Sequence, residues 1–130
     1  MLYWDINNVN ELIGKTLSDI KVNRDHDEIT FVCQDGTEYL MYHDQDCCET
    51  VTIDDVSGDI MDLVGSPITL AEESSEAGVH GEWGDSSTWT FYRFATVKGY
   101  VDIKWFGSSN GYYSESVNFK QIKPKLENND

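Results

Sequence analysis

The sequence predicts an α+β fold in which strands dominate: six or seven mostly antiparallel strands in a curled sheet, with two short helices. Alternating apolar and polar residues, clearest over residues 101–105, predict strands with one buried face. The pairs Asp35-Gly36 and Asn110-Gly111 lie between such runs and are typical of hairpin turns. Two short apolar segments each end at a glycine, as helices commonly do.

The predicted helices come from two similar segments, NELIGKTLSDIKV and MDLVGSPITLAEE. Both contain leucine, a β-branched residue, glycine, two further residues and then an apolar residue. Asn8 and Ser57 are the predicted N-caps, and Gly14 and Gly65 are predicted to follow the last helical turn. A strand is predicted after each helix. The similarity indicates a pseudo-duplication, with two helix–glycine–strand–hairpin halves.

The clearest predicted hairpin is EITFVCQDGTEYLMYH. A two-residue turn in it would pair Phe31 with Leu40 and Ile29 with Tyr42, and we expect these pairs to face the core. Three more strands are predicted in STWTFYRFAT, YVDIKWF and YYSESVNF. Residues 74–87 are rich in glycine and serine, which predicts a mobile loop. The predicted core consists of Phe31, Leu40, Tyr42, Trp89, Phe91, Ile103, Trp105, Val117 and Phe119.

The composition predicts one compact domain over residues 1–122, followed by a frayed polar tail over residues 123–130. Hydrophobic residues make up 39% of the chain and aromatic residues 12%, which excludes a disordered protein. No apolar run reaches the roughly 18 residues that span a membrane, and MLYWDINNVN has no signal-peptide pattern. Three cysteines, an odd number, favour a reducing compartment. We therefore expect a cytoplasmic protein.

The formal net charge is −15, and it is distributed unevenly along the chain. Residues 25–92 contain 17 Asp and Glu and no Lys or Arg, while the rest contains 24 − 17 = 7 acidic residues and all 9 basic ones. Binding to nucleic acid or to an anionic membrane needs Lys and Arg, so we expect neither. The charge favours a basic partner, bound cations, or solubility alone.

The segment YHDQDCCETVTIDD, residues 42–55, contains a histidine, two adjacent cysteines and five carboxylates. Zinc takes four Cys, His or carboxylate ligands, and the weak candidates here are His43, Cys47, Cys48 and Glu49. Adjacent cysteines chelate poorly because their side chains point to opposite sides of an extended chain. The carboxylates also lack the spacing of a calcium loop. We expect no metal and no cofactor, and a metal- or small-ligand-binding module centred on residues 43–55 is the alternative.

A cysteine nucleophile paired with His43 is the catalytic hypothesis for the same segment. Reactive cysteines lie in positive surroundings that lower their pKa, whereas the neighbours Asp44, Asp46 and Glu49 would raise it. A buried structural cysteine is therefore the favoured interpretation. The sequence contains no phosphate-binding glycine loop, nucleophile elbow or Walker pattern. We do not expect an enzyme.

Carboxylates held on ordered elements could imitate the phosphate track of a nucleic acid and occupy the basic groove of a protein that binds DNA or RNA. Four carboxylates flank or lie on the second predicted helix, and three lie beyond the end of a predicted strand. The alternative is an acidic surface that contacts only solvent. The candidate partner-binding residues are Asp44, Asp46, Glu49, Asp54, Asp55, Asp59 and Asp62.

Two motifs carry a resemblance to a protein family. His-Asp-x-x-Cys-Cys-Glu lies at residues 43–49, and Ser-Asn-Gly-Tyr-Tyr-Ser lies at residues 109–114. Over about residues 28–120 the sequence resembles small uncharacterised proteins encoded by bacteriophages and prophages. The family has no established activity. The resemblance implies a phage origin and the cytoplasm of a bacterial host, where small acidic phage proteins often disable host defence or transcription.

We therefore expect a small, acidic, phage-type inhibitor that occupies a basic surface of a host protein, acting by DNA mimicry. A CRISPR nuclease, a restriction enzyme and a DNA-binding factor would each present such a surface, so the class includes anti-CRISPR proteins and other agents of host defence evasion.

Overall fold

The structure, a computed structural model, describes residues 8–78, 86–110 and 114–124. Within these residues the chain is nearly all β, with eight strands in two antiparallel sheets and no helix beyond two 3₁₀ turns. The predicted α+β class, with one curled sheet of six or seven strands, is therefore wrong. The strands are β1 (Leu17–Val22), β2 (Glu28–Cys33), β3 (Glu38–Tyr42), β4 (Thr50–Ser57), β5 (Leu70–Ala77), β6 (Ser86–Thr96), β7 (Gly99–Ser109) and β8 (Asn118–Lys123).

The two predicted helices are single 3₁₀ turns, at Val9–Leu12 and Ile60–Leu63. Each contains only four residues, which is too short for a run of α-helical bonds between residues four apart. The bonds instead join residues three apart, as when Val64 N donates to Met61 O at 3.1 Å. The sequence pattern located the turns correctly but overestimated their length.

The ends of these turns follow the predicted chemistry in part. Asn8 caps the first turn, as predicted, but Asp59 rather than Ser57 caps the second. Gly14 and Gly65 follow the two turns with φ of 89° and 91°. A left-handed backbone strongly favours glycine, so the predicted glycine stops are confirmed. A strand then begins after each glycine, also as predicted.

The two halves of the chain share one topology. Sheet I has the strand order β1-β2-β3-β8, and sheet II has the order β4-β7-β6-β5. Each half contributes three consecutive strands to one sheet and sends its fourth strand to the other. Strand β4 pairs with β7 of the second half, and β8 pairs with β3 of the first. The two halves therefore repeat one connectivity, with their fourth strands exchanged between the sheets.

The two similar sequence segments also contact each other. Gly14 N donates to Ile68 O at 2.8 Å, and Ile68 N donates to Lys15 O at 2.9 Å. Gly65 N donates to Leu17 O at 2.9 Å. These bonds join the start of the first half to the start of the second, so the sequence similarity coincides with the place where the halves meet.

The β2–β3 hairpin is present, but its register differs by one residue from the prediction. Ile29 pairs with Met41 and Phe31 pairs with Tyr39. A shift of one residue turns every side chain of a strand to its other face. Tyr39 and Met41 therefore face the core, and the predicted core residues of β3 face outward.

The register differs because the turn has three residues rather than two. Cys33 N donates to Thr37 O at 2.8 Å, which closes a loop over residues 34–36. Gly36 takes the left-handed conformation, with φ of 91°, and Asp35 Oδ1 accepts from Thr37 N at 2.9 Å. A three-residue loop with glycine at the left-handed position is the next most common hairpin after the two-residue one.

The core lies between the two sheets. Phe31, Ile103, Trp105 and Phe119 are buried in it as predicted, and Val117 is partly buried against it. Four predicted core residues are instead half-buried and belong to the outer faces of the sheets: Leu40, Tyr42, Trp89 and Phe91.

Two other predicted boundaries are wrong. Strand β5 continues to Ala77 and β6 begins at Ser86, so both ends of the predicted loop over residues 74–87 are strand. Residues 79–85 of that prediction lie outside the described residues. The last strand runs from Asn118 to Lys123, so it overlaps only the last two residues of the predicted strand YYSESVNF. Residues 114–117 precede it without strand structure, while Gly111, Tyr112 and Tyr113 lie outside the described residues, so the predicted turn at residues 110–111 does too.

Candidate functional site

The two segments that lead into the exchanged strands meet at one end of the molecule. Residues 43–49 connect β3 to β4, and residues 114–117 lead into β8. His43 Nδ1 donates to Ser116 O at 2.6 Å, and Asp44 N donates to Asn118 Oδ1 at 3.0 Å. A cavity of about 310 Å³ lies between the segments, lined by residues of both. The first motif therefore adjoins Ser114, the last residue of the second motif, and the segment that follows it.

His43 and Glu49 form a buried pair within this end of the molecule. Their side chains are 4% and 0% exposed, and His43 Nε2 lies 2.6 Å from Glu49 Oε2. Each ring nitrogen of His43 faces an oxygen atom, Nδ1 the backbone carbonyl of Ser116 and Nε2 the carboxylate of Glu49. Glu49 also accepts from Asp46 N at 2.8 Å and Cys47 N at 3.0 Å. The pair thereby fixes the loop between β3 and β4.

The ionisation of Glu49 follows from these contacts. Burial is the largest single effect and opposes the charged form, but the hydrogen bonds from His43 and from the backbone N–H groups of Cys47 and Asp46 outweigh it. Together they lower the pKa of Glu49 to about 2. Glu49 is therefore a carboxylate at neutral pH, and its oxygens are already used inside the loop.

The weak metal candidates are not arranged as a metal site. Cys47 and Cys48 are exposed and joined to each other by a disulfide, so the predicted buried structural cysteine in this segment is wrong. His43 and Glu49 bind each other and the loop. Among the residues that the structure describes, no group of three or more His, Cys, Asp or Glu could hold a metal ion.

Glu115 occupies the position in the second half that Glu49 occupies in the first. Glu115-Ser116-Val117 repeats the pattern of Glu49-Thr50-Val51. Glu115 is buried and accepts hydrogen bonds from three hydroxyl groups: those of Thr88 at 2.8 Å, Ser109 at 2.5 Å and Ser86. Sequence reasoning missed this residue. The repeated Glu–hydroxyl–Val pattern is the signal that could have found it.

The predicted partner-binding carboxylates divide into a buried one and an exposed group. Glu49 is buried, as described above, and takes no part in the surface. The others are exposed except for Asp62, which is half-buried. They lie in the segment that connects β3 to β4, on the edge strand β4 and at the second 3₁₀ turn, and so border one side of sheet II. This acidic edge consists of Asp44, Asp46, Asp54, Asp55, Asp59 and Asp62.

The side of sheet II that faces away from the core, here called the outer face, carries aromatic residues that the sequence analysis assigned to the core. Trp89 pairs with Phe106 across β6 and β7, and Phe91 lies two residues along. All three are half-buried, because Thr90, Tyr92 and Phe94 are the β6 residues that face the core. Trp89 and Phe106 have ring centroids 4.4 Å apart with planes at 52°.

Carboxylates border this aromatic centre on both sides. Glu72 and Glu76 lie on the edge strand β5, opposite Arg93 and Trp89 of β6 in the strand register. Asp55 lies on the edge strand β4, opposite Lys104 of β7. A cavity of about 840 Å³ runs along the face. A second one, of about 460 Å³, lies beside Trp89 and Glu76. The acidic edge is therefore one border of a larger surface.

The two cations of the outer face are already paired. Arg93 donates to both carboxylate oxygens of Asp102, at 2.7 and 3.1 Å, and its guanidinium carbon lies 5.7 Å from the centre of the Tyr100 ring. Lys104 Nζ lies 3.6 Å from Asp54 and 4.9 Å from the centre of the Trp89 ring. Lys104 therefore offsets Asp54, whereas Asp55, Glu72 and Glu76 have no ion-pair partner within 4.0 Å among the described residues.

The three cysteines should differ sharply in reactivity once the disulfide is reduced. Cys33 is buried, and burial raises its pKa to about 11, so little reactive thiolate forms at neutral pH. Cys47 and Cys48 are exposed. After mild reduction in native buffer, iodoacetamide should label these two, and mass spectrometry should detect the third adduct only in denaturant. Rapid native labelling of Cys33 would contradict its burial.

The comparisons with known proteins give a family and no activity. A family described as a domain of unknown function, DUF7448, matches residues 10–119. The match includes both segments that lead into the exchanged strands, residues 43–49 and 114–117. No curated protein and no solved structure matches the chain. Within the described ranges, the structure contains no helix with the length and apolar character needed to cross a membrane.

Proposed function

The chain belongs to DUF7448, a family of unknown function, and we propose that it is a small binding protein that occupies a basic, nucleic-acid-binding surface of another protein. The proposed setting is a phage or prophage protein in the cytoplasm of its host, where the partner is a CRISPR nuclease, a restriction enzyme or a DNA-binding factor. In this proposal the protein inhibits its partner by DNA mimicry and is not an enzyme.

The observation that carries the proposal is the acidic edge of sheet II. Asp54 and Asp55 are exposed on β4, and Asp59 is exposed where it caps the following 3₁₀ turn. These carboxylates are held by backbone with regular hydrogen bonds, so their spacing is fixed before a partner binds. Residues 25–92 contain no Lys or Arg that could neutralise them from within the same stretch of sequence.

The physical basis is complementarity of charge. A protein that binds nucleic acid presents Lys and Arg at positions that match phosphates, and an ordered line of carboxylates can take the place of those phosphates. Such binding is steered over long range and weakens as salt rises, because exposed charges are screened beyond about 8 Å at physiological ionic strength.

Metal or small-ligand binding at residues 43–55 is the weaker proposal. His43 and Glu49 are used by each other and by the loop, and Cys47 and Cys48 are bonded together. A metal would have to displace four hydrogen bonds to Glu49 and His43, and reduction would have to come first.

A capture experiment tests the proposal. The immobilised protein is exposed to nuclease-treated bacterial lysate and eluted with a salt gradient, and bound proteins are identified by mass spectrometry. We expect a nucleic-acid-binding protein that elutes as salt rises and that duplex DNA displaces. The proposal would be contradicted if the captured protein is released neither by duplex DNA nor by rising salt.

Matched charge variants identify the surface involved. Asp54→Asn, Asp55→Asn and Asp59→Asn together remove three exposed charges from the acidic edge, and asparagine keeps the cap at position 59. The control removes three exposed charges elsewhere, by Glu11→Gln, Asp25→Asn and Glu28→Gln. We expect the first set to slow association by about tenfold and the control to have little effect. Equal effects would mean that only net charge matters.

A further inference from the structure

The outer face of sheet II combines an aromatic centre with acidic borders, and this combination specifies what kind of segment it fits. We propose that the face binds an extended, positively charged segment of a partner protein, which lies across the strands. An apolar side chain of the segment contacts the aromatic rings, and a Lys or Arg on each side reaches the carboxylates of an edge strand. The inference rests on the proposed function, because it assumes a basic protein partner.

The centre of the face has the character of a binding surface. Trp89, Phe91 and Phe106 lie on the two central strands of sheet II and remain half-exposed. Clustered aromatic residues at the middle of a surface, surrounded by polar ones, are typical of the few residues that carry most of the energy of a protein interface.

The borders supply charge complementarity. Three carboxylates of the face have no ion-pair partner within 4.0 Å among the described residues: Asp55 on β4, and Glu72 and Glu76 on β5. The face as a whole has five carboxylates, Asp54, Asp55, Glu72, Glu76 and Asp102, against the two cations Arg93 and Lys104. A positively charged ligand is therefore favoured over a neutral or acidic one.

The dimensions of the sheet set the spacing of the basic residues. The strand order places β5 and β4 three strand spacings apart, which is about 14 Å at roughly 4.8 Å per spacing. In an extended segment, residues four apart are separated by about 13 Å, and residues i, i+2 and i+4 point to the same side. Basic residues at i and i+4 with an apolar residue at i+2 therefore match the two borders and the centre.

Existing contacts show that this face accommodates cations on its rings. Lys104 Nζ lies 4.9 Å from the centre of the Trp89 ring, and the Arg93 guanidinium carbon lies 5.7 Å from that of Tyr100. A carbohydrate is a poorer match. The planes of Trp89 and Phe106 are inclined at 52°, so they do not form one flat platform for a sugar ring.

A fluorescein-labelled peptide, Gly-Arg-Ser-Phe-Ser-Arg-Gly, is the probe, and fluorescence polarisation at low ionic strength is the measurement. The comparison peptide, Gly-Arg-Arg-Ser-Ser-Phe-Gly, has the same composition and charge but the wrong spacing. We expect the first peptide to bind about tenfold more tightly than the second, and its binding to weaken with salt. Maltohexaose is the neutral carbohydrate probe and should not bind.

Variants of the protein locate the site. Trp89→Ser and Phe106→Ser should each weaken binding of the first peptide by about tenfold, and Glu72→Gln with Glu76→Gln should weaken it to a similar extent. Tyr42→Ser is the matched control, because Lys120 Nζ lies 5.0 Å from the centre of the Tyr42 ring on the outer face of sheet I. Circular dichroism should confirm that every variant is folded.

Several results would overturn the inference. They are equal binding of the two peptides, absence of binding, loss of binding with Tyr42→Ser as readily as with Trp89→Ser, and Trp89-dependent binding of maltohexaose instead. The proposed function fails separately, if capture from lysate is insensitive to salt and DNA. Capture that depends on the acidic edge but not on Trp89 or Phe106 would retain the proposed function and reject this inference.

Discussion

Replacing Trp105 with alanine should lower the free energy of unfolding by about 4 kcal/mol. Trp105 is 0% exposed and lies in β7, a central strand of sheet II. Removing its indole leaves a cavity between two sheets whose backbones are fixed by hydrogen bonds and cannot close around it. Domains are usually stable by about 5 to 15 kcal/mol, so the variant should unfold at a much lower urea concentration. Far-UV circular dichroism during urea titration measures the effect.

Trp89→Ala is the matched control, since Trp89 lies on the neighbouring strand but on the outer face. We expect it to cost about 1 kcal/mol, mainly through its contact with Phe106. Trp105→Phe should cost less than Trp105→Ala, because it keeps a ring in the core and the indole Nε1 of Trp105 has no hydrogen-bond partner among the described residues. Equal losses for the two alanine variants would contradict the assignment of faces.

The two tryptophans also illustrate what the sequence could and could not predict. Residues 101–105 alternate between apolar and charged, so the alternation alone identified Val101, Ile103 and Trp105 as buried, and the structure confirms it. Along β6 both faces carry aromatic residues, and periodicity cannot then decide which face is inside. Which face of β6 is buried depends on where the other sheet packs, and this tertiary contact cannot be derived from the pattern of one strand.

The predicted register of the β2–β3 hairpin was wrong for a different reason. Asp-Gly fits both a two-residue turn and a three-residue loop with glycine at its last position. The difference is one residue, and one residue reverses the faces of β3. The hydrogen bond from Thr37 N to Asp35 Oδ1 stabilises the longer loop. The presence of the hairpin could therefore be predicted from sequence, but its register could not.

The buried carboxylates show another limit. Glu49 lies in the most acidic stretch of the chain, and acidic residues are rarely buried unless paired, so sequence reasoning placed it on the surface. Its partners, His43 and two backbone N–H groups, become visible only when the loop is folded. Glu115 is likewise buried before β8, but its partners are three hydroxyl groups rather than a histidine and backbone N–H groups.

The acidic edge also has a structural role that the charge variants must separate from binding. Strands β4 and β5 are the edges of sheet II, and charged side chains on edge strands prevent pairing with other molecules. A purely protective role predicts that the Asp54, Asp55 and Asp59 variant associates with itself while partner binding is unchanged. A binding role predicts weaker partner binding at concentrations where sedimentation shows a monomer.

His43→Ala should destabilise the protein by about 3 kcal/mol, because it leaves the buried Glu49 carboxylate without its side-chain hydrogen-bond partner. The variant would leave the Glu49 carboxylate with only the N–H groups of Asp46 and Cys47 as hydrogen-bond donors. It would also remove the hydrogen bond from His43 Nδ1 to the Ser116 carbonyl. Urea titration at neutral pH measures the loss. Asp44→Ala is the control at the exposed neighbouring position, and we expect a change within about 0.5 kcal/mol. Equal effects would contradict the buried pair.

The same pair should make stability depend on pH in a defined range. The pKa of Glu49 falls from an ordinary value of 4.5 to about 2 on folding. A lowered pKa stabilises the fold above the ordinary value, and this contribution disappears as pH falls from 4.5 towards 2. Asp35 contributes in the same range, because hydrogen bonds from the Thr37 side chain and backbone lower its pKa to about 2. Glu49→Gln removes only the first contribution, so its free energy of unfolding should fall less steeply than that of the wild type between pH 4.5 and 2. Parallel curves for the two proteins would show that folding does not lower the pKa of Glu49.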